Sequence, residues 1–113
     1  MRRILKAFSY SFDGLRAALA SGPAFRQDII VFVIGIIAAI ILPVDAVSRA
    51  MLISPLFIIL IAELANTAIE TIIDRISKEN NPLSKNAKDI GSAIVLMSFI
   101  NAAAVWICVF IHA

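Results

Sequence analysis

The sequence predicts an all-α membrane protein in which three transmembrane helices follow an amphipathic surface helix, as one domain over residues 1–113. Hydrophobic residues make up 61% of the chain, the mean hydropathy is +0.96, and 16% of the residues are charged. Soluble domains usually have about 45–50% apolar and 25% charged residues, so a soluble monomer and a disordered chain are both excluded. A single cysteine, Cys108, excludes a disulfide framework and a thiolate metal site.

The positive charge of the chain favours membrane orientation over nucleic-acid binding. The formal net charge is +2 and the isoelectric point is near 9.0, but the charged residues lie in clusters beside apolar runs. Basic clusters that flank apolar spans are typical of membrane proteins. No nucleic-acid partner is therefore expected.

The amino-terminal segment, residues 1–21, is predicted to form a helix that lies on the membrane surface. Its apolar residues recur at helical spacing, and charged residues occupy positions between them. A cleaved signal peptide is the alternative interpretation. Asp13 and Arg16 interrupt the apolar core that such a peptide needs, so the surface helix is preferred.

Residues 29–44 are predicted to form the first transmembrane helix, because they contain no Asp, Glu, Lys or Arg. Ala24 and Phe25 can extend this run toward the roughly 20 residues that a span needs. A short polar stretch follows, with Pro43, Asp45, Ser48 and Arg49. We expect this stretch to be a tight turn.

The second transmembrane helix is predicted from the apolar run 50–62 and continues to Asp74. A polar segment, residues 75–89, is then predicted as a loop, since Asn80, Asn81 and Pro82 disfavour a continuing helix. Residues 90–113 form the clearest span, with 24 residues that carry no formal charge when His112 is neutral.

Basic residues are distributed unequally among the polar segments. Five lie within residues 1–28 and four within residues 74–89, whereas the turn between the first two spans has only Arg49. Lys and Arg are enriched on the cytoplasmic side of membrane proteins. The amino terminus and the segment 75–89 are therefore predicted to be cytoplasmic.

Four polar residues form one stripe on the second helix: Glu63, Asn66, Glu70 and Asp74. Their spacing of i, i+3, i+7 and i+11 places them within an arc of about 80° on one helix face. Acidic side chains at the centre of a membrane cost about 2.5–3.5 kcal/mol each by insertion scales, so they normally face protein or water. The stripe is the candidate functional site.

The spacing within the stripe separates two roles. Glu63 and Glu70 are about 10 Å apart along the helix axis, too far to bind one small cation together. If the span takes roughly 20 residues from Ala50, Glu70 reaches the cytoplasmic interface, where Mg²⁺ and nucleotide phosphates are accessible. Glu63 stays among the lipid chains, where a desolvated carboxylate accepts a hydroxyl proton better than an exposed one.

Three segments of the chain resemble a known family. They are E-L-A-N-T-A-I-E-T-I-I-D-R at 63–75, A-K-D-I-G-S-A at 87–93, and Y-S-F-D-G-L-R-A-A with A-F-R-Q within 10–27. Together they resemble the small prokaryotic diacylglycerol kinases over nearly the whole chain. The resemblance implies an integral inner-membrane homotrimer that transfers the γ-phosphate of MgATP to a lipid hydroxyl.

The resemblance also implies roles for single residues. Glu63 would accept the proton of the lipid hydroxyl, Asn66 would support Glu63, and Glu70 would bind Mg²⁺. The nucleotide site would be formed by Arg3, Tyr10, Glu70, Glu79, Asn80, Asn81, Lys88 and Asp89. The lipid substrate would contact Arg3, Ser11, Arg16, Glu63 and Ser92. A Walker A loop is not expected, because no glycine of the chain is followed by lysine.

One position departs from the family pattern. Members usually carry a metal-binding glutamate just before the A-F-R-Q segment, where this chain has Ser21, Gly22 and Pro23, and the aligned position is Gly22. Asp13 and Asp28 are candidate replacements, although an aspartate at an unmatched position is more often a solvated surface charge. A raised Mg²⁺ requirement is therefore expected.

Diacylglycerol is the expected acceptor, and undecaprenol is the alternative acceptor within the same fold. A non-catalytic membrane protein, such as a small pore or an assembly subunit, is an alternative of another class. The polar stripe lies near one membrane face, which favours a one-sided site over a path through the membrane.

Overall fold

The computed structural model describes residues 1–76 and 78–112, which fold into four helices. In chain order these are α1 (Arg2–Ala20), α2 (Pro23–Ile41), α3 (Ala46–Ile76) and α4 (Pro82–His112). No strand occurs in these residues, so the all-α class is confirmed. Ser77 and Ala113, which the predictions include, lie outside the described residues.

Helices α2, α3 and α4 are each long and apolar enough to cross a membrane, which confirms that there are three such spans. The first one lies earlier in the chain than the predicted range 29–44, because α2 runs from Pro23 to Ile41. Their outer faces carry exposed apolar side chains, and Ile34, Ile61 and Phe110 are each more than half exposed. Surfaces of this kind are unfavourable in water and are compatible with lipid.

Helix α1 is confirmed as a helix that precedes the spans, and Ala18 is its one buried residue. The chain then turns at Gly22 and enters α2 at Pro23, a residue whose missing N–H costs nothing in a first helical turn. The Nε of Arg26 donates a hydrogen bond to the carbonyl of Leu19 at 2.7 Å. This bond joins the end of α1 to the start of α2.

The turn between α2 and α3 is shorter than predicted. Asp45 accepts a hydrogen bond from the backbone N–H of Ser48 at 3.0 Å, so α3 begins at Ala46. Ser48 and Arg49, expected in the turn, therefore belong to the first turn of α3. Arg49 donates hydrogen bonds to the carbonyl of Ala39 at 2.8 Å, an acceptor that the end of α2 leaves open, and to the carbonyl of Val44 in the turn at 3.0 Å.

The predicted loop 75–89 is wrong over most of its length, because α4 already begins at Pro82. The side-chain oxygen of Asn81 accepts a hydrogen bond from the backbone N–H of Leu83 at 2.8 Å, as an N-cap does. Asn81 and Pro82 thus start a helix here. The same two residues disfavour a helix only when they lie in its interior.

Helix α3 is the central element and packs against both α2 and α4. Its Leu52 is fully buried and meets Ala39 of α2 and Val109 of α4. The Nε1 of Trp106 donates to the carbonyl of Leu52 at 3.0 Å, close to Pro55, which cannot donate a backbone hydrogen bond within α3. Side chains on the inner face of α3 therefore lie between α2 and α4.

Candidate functional site

The polar stripe of α3 changes from buried to exposed along the helix. Glu63 and Asn66 keep only 6% and 8% of their surface exposed, whereas Glu70 and Asp74 are exposed. Ile73, in the last turns of α3, is again buried, so these turns are open on the side of Glu70 and Asp74 but not all round. A buried carboxylate and an open one therefore lie on the same helix face, as the spacing predicted.

Asn66 connects the stripe to α4. Its Nδ2 donates a hydrogen bond to Oε1 of Glu70 at 3.0 Å, and its Oδ1 is buried without a hydrogen-bond partner among the described residues. Gly91 of α4 lies against this oxygen, and a Cβ at position 91 would collide with it. A glycine at this point lets the two helices approach, and Asn66 holds Glu70 in a fixed direction.

Asp28 of α2 faces Glu63 and is half-buried. The expectation that this aspartate is a solvated surface charge is therefore wrong, since α2 turns it toward α3. The other candidate, Asp13, lies on the open side of α1 and pairs with Arg16 at 3.6 Å, with both side chains well exposed. Only Asp28 adds a carboxylate to the stripe.

A cavity of about 520 Å³ opens where α3 passes into α4. It brings together five residues that the resemblance assigns to the nucleotide site: Glu79, Asn80, Asn81, Lys88 and Asp89. Two ion pairs order its wall. Lys88 Nζ lies 2.7 Å from Asp74 Oδ1, and Lys85 Nζ lies 2.6 Å from Asp89 Oδ2.

The same cavity is lined by residues that were not predicted to belong to the site: Ile73, Lys78, Pro82, Ser84 and Lys85. Lys85 could have been predicted as a site residue from its spacing, because positions i, i+3 and i+4 place Lys85, Lys88 and Asp89 on one helix face. That inference needs α4 to start before Lys85, which the predicted loop excluded. Nothing in the sequence pattern points to Ile73 or Ser84.

Other predicted residues lie away from the cavity. Arg3 and Tyr10 are exposed on α1 and do not line it. Ser11 lines a separate apolar groove of about 630 Å³ between α1 and α3. Ser92 is exposed on α4. One chain thus brings part of the predicted site together.

Metal binding by the described residues rests on few ligands. They contain no group of three His, Cys, Asp or Glu side chains close enough to hold an ion. Glu70 is exposed and oriented by Asn66, so its carboxylate is accessible to a partly hydrated cation. Mg²⁺ is often held by one or two carboxylates together with substrate phosphates, so this arrangement fits Mg²⁺ better than a metal that needs a complete protein cage.

A family model described as prokaryotic diacylglycerol kinase matches residues 9–110 of the chain. The chain belongs to this family. Among curated relatives, the diacylglycerol kinase of Escherichia coli K12 is 45% identical over 104 residues, which cover 92% of this chain and 85% of that protein. The diacylglycerol kinase of Pseudomonas aeruginosa PAO1 is 42% identical over 106 residues, covering 94% of this chain and 86% of the relative. That of Haemophilus influenzae is 32% identical over 106 residues, covering 94% and 90%.

Membership in the prokaryotic diacylglycerol kinase family confirms the resemblance carried by the three sequence segments. With three helices able to span a membrane, the chain is a lipid kinase of the multi-pass bacterial membrane type. The matched range includes the whole polar stripe and the residues of the cavity. Arg3 lies outside that range, so its role depends on the sequence resemblance alone.

Proposed function

We propose that this chain is an ATP-dependent kinase that phosphorylates diacylglycerol to phosphatidic acid, with Mg²⁺ as its metal cofactor. The proposal rests on one observation: the buried Glu63 and the exposed Glu70 share a helix face that leads to a lysine-lined cavity. A lipid hydroxyl and a nucleotide have to meet at the membrane interface. This face offers a proton acceptor on the apolar side and cations on the aqueous side.

Glu63 is the proposed proton acceptor. Its carboxylate takes the proton of the diacylglycerol hydroxyl while that oxygen bonds to the γ-phosphorus, and the bond from the γ-phosphorus to ADP breaks. The products are phosphatidic acid and ADP. Asn66 lies one helical turn beyond Glu63 and donates a hydrogen bond to Glu70. This bond fixes the position of the Glu70 carboxylate, the proposed metal ligand, relative to Glu63, the proposed proton acceptor.

Glu70 is the proposed metal ligand. Mg²⁺ bound there would neutralise charge on the transferred phosphoryl group. Lys88, Asp89 and the 79–81 segment would bind the nucleotide, because their side chains surround one cavity. Ammonium groups stabilise phosphate charge, and phosphoryl transfer depends mainly on such positioning and charge stabilisation.

The lipid substrate would lie along α1 and α3. The apolar groove between these helices is lined by Ser11, and Arg16 lies on the exposed side of α1. Arg3, Arg16 and Ser92 complete the proposed lipid contacts. The exposed apolar side chains of α1, including Phe8 and Phe12, support a position of this helix on the membrane surface.

The proposal includes an orientation and an assembly. The basic residues of α1 and of the 74–89 segment support a cytoplasmic amino terminus and a cytoplasmic cavity in the bacterial inner membrane. The family resemblance supports a homotrimer. Arg3 and Tyr10 do not line the cavity within one chain, so their proposed nucleotide contacts require a neighbouring copy.

The test is a lipid kinase assay on the purified protein in lipid–detergent micelles, with γ-labelled ATP and either diacylglycerol or undecaprenol. We expect Mg²⁺-dependent labelling of phosphatidic acid. Labelled undecaprenyl phosphate without labelled phosphatidic acid would move the chain to the alternative acceptor. An absence of labelled lipid, with ion flux through the protein in liposomes, would support a pore.

A further inference from the structure

Asp74 is the one member of the polar stripe that the proposed reaction leaves without a role. It lies in the last turn of α3, beyond Glu70 and next to Ile73, which lines the cavity. Its Oδ1 accepts a hydrogen bond from Lys88 Nζ at 2.7 Å. The bond connects α3 to α4 and ends on a lysine of the cavity wall.

The Asp74–Lys88 pair differs from the other ion pairs of the described residues. Its side chains are 43% exposed at Lys88 and 46% exposed at Asp74, whereas the Lys85–Asp89 pair is 77% and 62% exposed. The Lys85–Asp89 pair joins residues one turn apart on the same helix, as does Asp13–Arg16. The Asp74–Lys88 pair instead joins two helices, because Asp74 of α3 holds the side chain of Lys88 of α4.

Such a contact has a specific effect on lysine. A free lysine side chain has four flexible carbon–carbon bonds and loses considerable conformational entropy when it binds a phosphate. An ammonium group has three hydrogen-bond donors, so one bond to Asp74 leaves two donors for another anion. Glu70 also lies within electrostatic range of Lys88. The Lys88 side chain thus lines the cavity while it interacts electrostatically with the proposed metal ligand.

We propose that Asp74 is a positioning residue that holds the Lys88 ammonium ready to bind the phosphates of the nucleotide. This inference depends on the proposed kinase function. Asp74 keeps its bond to Lys88 when the nucleotide binds, and the remaining donors of Lys88 contact the triphosphate. Asp74 itself does not touch the nucleotide.

The proposal differs from a purely structural role in what it predicts. Exposed ion pairs contribute about 0–1 kcal/mol to stability, so loss of the pair has little effect on folding. Loss of the ordering of Lys88 acts on nucleotide binding. An interface side chain that has to be immobilised weakens binding by about twofold to tenfold.

The experiment compares Asp74→Asn with Asp74→Glu and with the unmodified chain in the lipid kinase assay. Asp74→Asn should raise the KM for ATP about twofold to tenfold while kcat changes less, because the chemistry at Glu63 is untouched. Asp74→Glu keeps the charge and should recover most of the affinity. Asp45→Asn is the matched control, since it removes the same charge from the opposite end of α3 and should leave the KM unchanged.

An unchanged or lowered KM in a folded Asp74→Asn variant would overturn the proposal, and a lowered value would mean that Asp74 competes with the nucleotide for Lys88. If Asp74→Asn does not fold, Asp74→Glu alone decides: a KM near that of the unmodified chain supports positioning, and one raised more than tenfold contradicts it. Failure of the unmodified chain to phosphorylate any lipid refutes the proposed function. Normal turnover with no KM effect refutes only the role of Asp74.

Discussion

Replacing Gly91 with alanine tests whether the close approach of α4 to α3 orders the candidate site. A Cβ at this position would collide with Asn66 Oδ1 and would lie 3.3 Å from Asn66 Cγ. The backbone of Gly91 is held in α4, so the adjustment falls on the Asn66 side chain. When that side chain turns away, its 3.0 Å hydrogen bond to Glu70 is lost.

The size of the effect follows from this one bond. A hydrogen bond to a charged group contributes about 1.5–3 kcal/mol, and the exposure of Glu70 favours the lower end. A loss of about 1.5 kcal/mol corresponds to about a tenfold fall in kcat/KM. We expect this fall for Gly91→Ala, with a higher Mg²⁺ requirement, in initial rates of lipid phosphorylation during a Mg²⁺ titration at fixed ATP.

Gly35→Ala is the matched control. A Cβ at Gly35 would lie 2.8 Å from Leu56 Cδ1, so this change also crowds a helix contact but does not touch Asn66. Overpacking typically costs about 1–3 kcal/mol of stability. Gly35→Ala should therefore lower the melting temperature and leave the Mg²⁺ requirement unchanged. Equal rates and equal Mg²⁺ titrations for Gly91→Ala and the unmodified chain would refute the ordering of Asn66 by Gly91.

Three further substitutions test the separate roles along the stripe and at the departure from the family. Glu63→Gln should abolish turnover while MgATP, measured by equilibrium dialysis, still binds, because only the proton acceptor is removed. Glu70→Gln should weaken Mg²⁺-dependent nucleotide binding, since the amide keeps the shape but lacks the charge that a hard cation needs. Gly22→Glu should lower the half-saturating Mg²⁺ concentration about tenfold, because one carboxylate ligand is added, as a rate titration at fixed ATP would show.

A specific result would contradict each of these three predictions. Near-normal turnover of Glu63→Gln would remove this residue from the mechanism. Unchanged nucleotide affinity and Mg²⁺ dependence of Glu70→Gln would assign the metal to other ligands. At Gly22 the backbone is extended and a Cβ meets nothing within 4 Å, so a glutamate is accommodated. An unchanged Mg²⁺ requirement there would mean that Gly22 is not the aligned position or that Asp28 already supplies the ligand.

The spans and the stripe could be predicted because both depend on properties of one segment. A run without charges and a set of polar residues on one helix face are visible in the sequence itself. The start of α4 could not be predicted in the same way. Asn81 and Pro82 are compatible both with the start of a helix and with a loop that interrupts one. The hydrogen bond from the backbone N–H of Leu83 to the side chain of Asn81 shows that a helix starts here.

The parts of the site that depend on helix packing could not be predicted from the sequence. Asp28 has no partner at a recognisable spacing, and it meets Glu63 only because α2 packs against α3. The same is true of Gly91 and Asn66, which come from different helices. Periodicity shows which side chains share a face of one helix, whereas the contacts between faces follow from packing.

The most direct test of the proposed lipid kinase reaction is phosphorus-31 NMR of the purified protein in diacylglycerol-containing nanodiscs after addition of MgATP. The spectrum follows the loss of the γ-phosphate of ATP and the appearance of a lipid phosphomonoester in one sample. We expect ADP and phosphatidic acid to form at equal rates and Glu63→Gln to stop the formation of both. Formation of ADP with free inorganic phosphate, or lipid phosphorylation by Glu63→Gln at the unmodified rate, would contradict the proposed reaction.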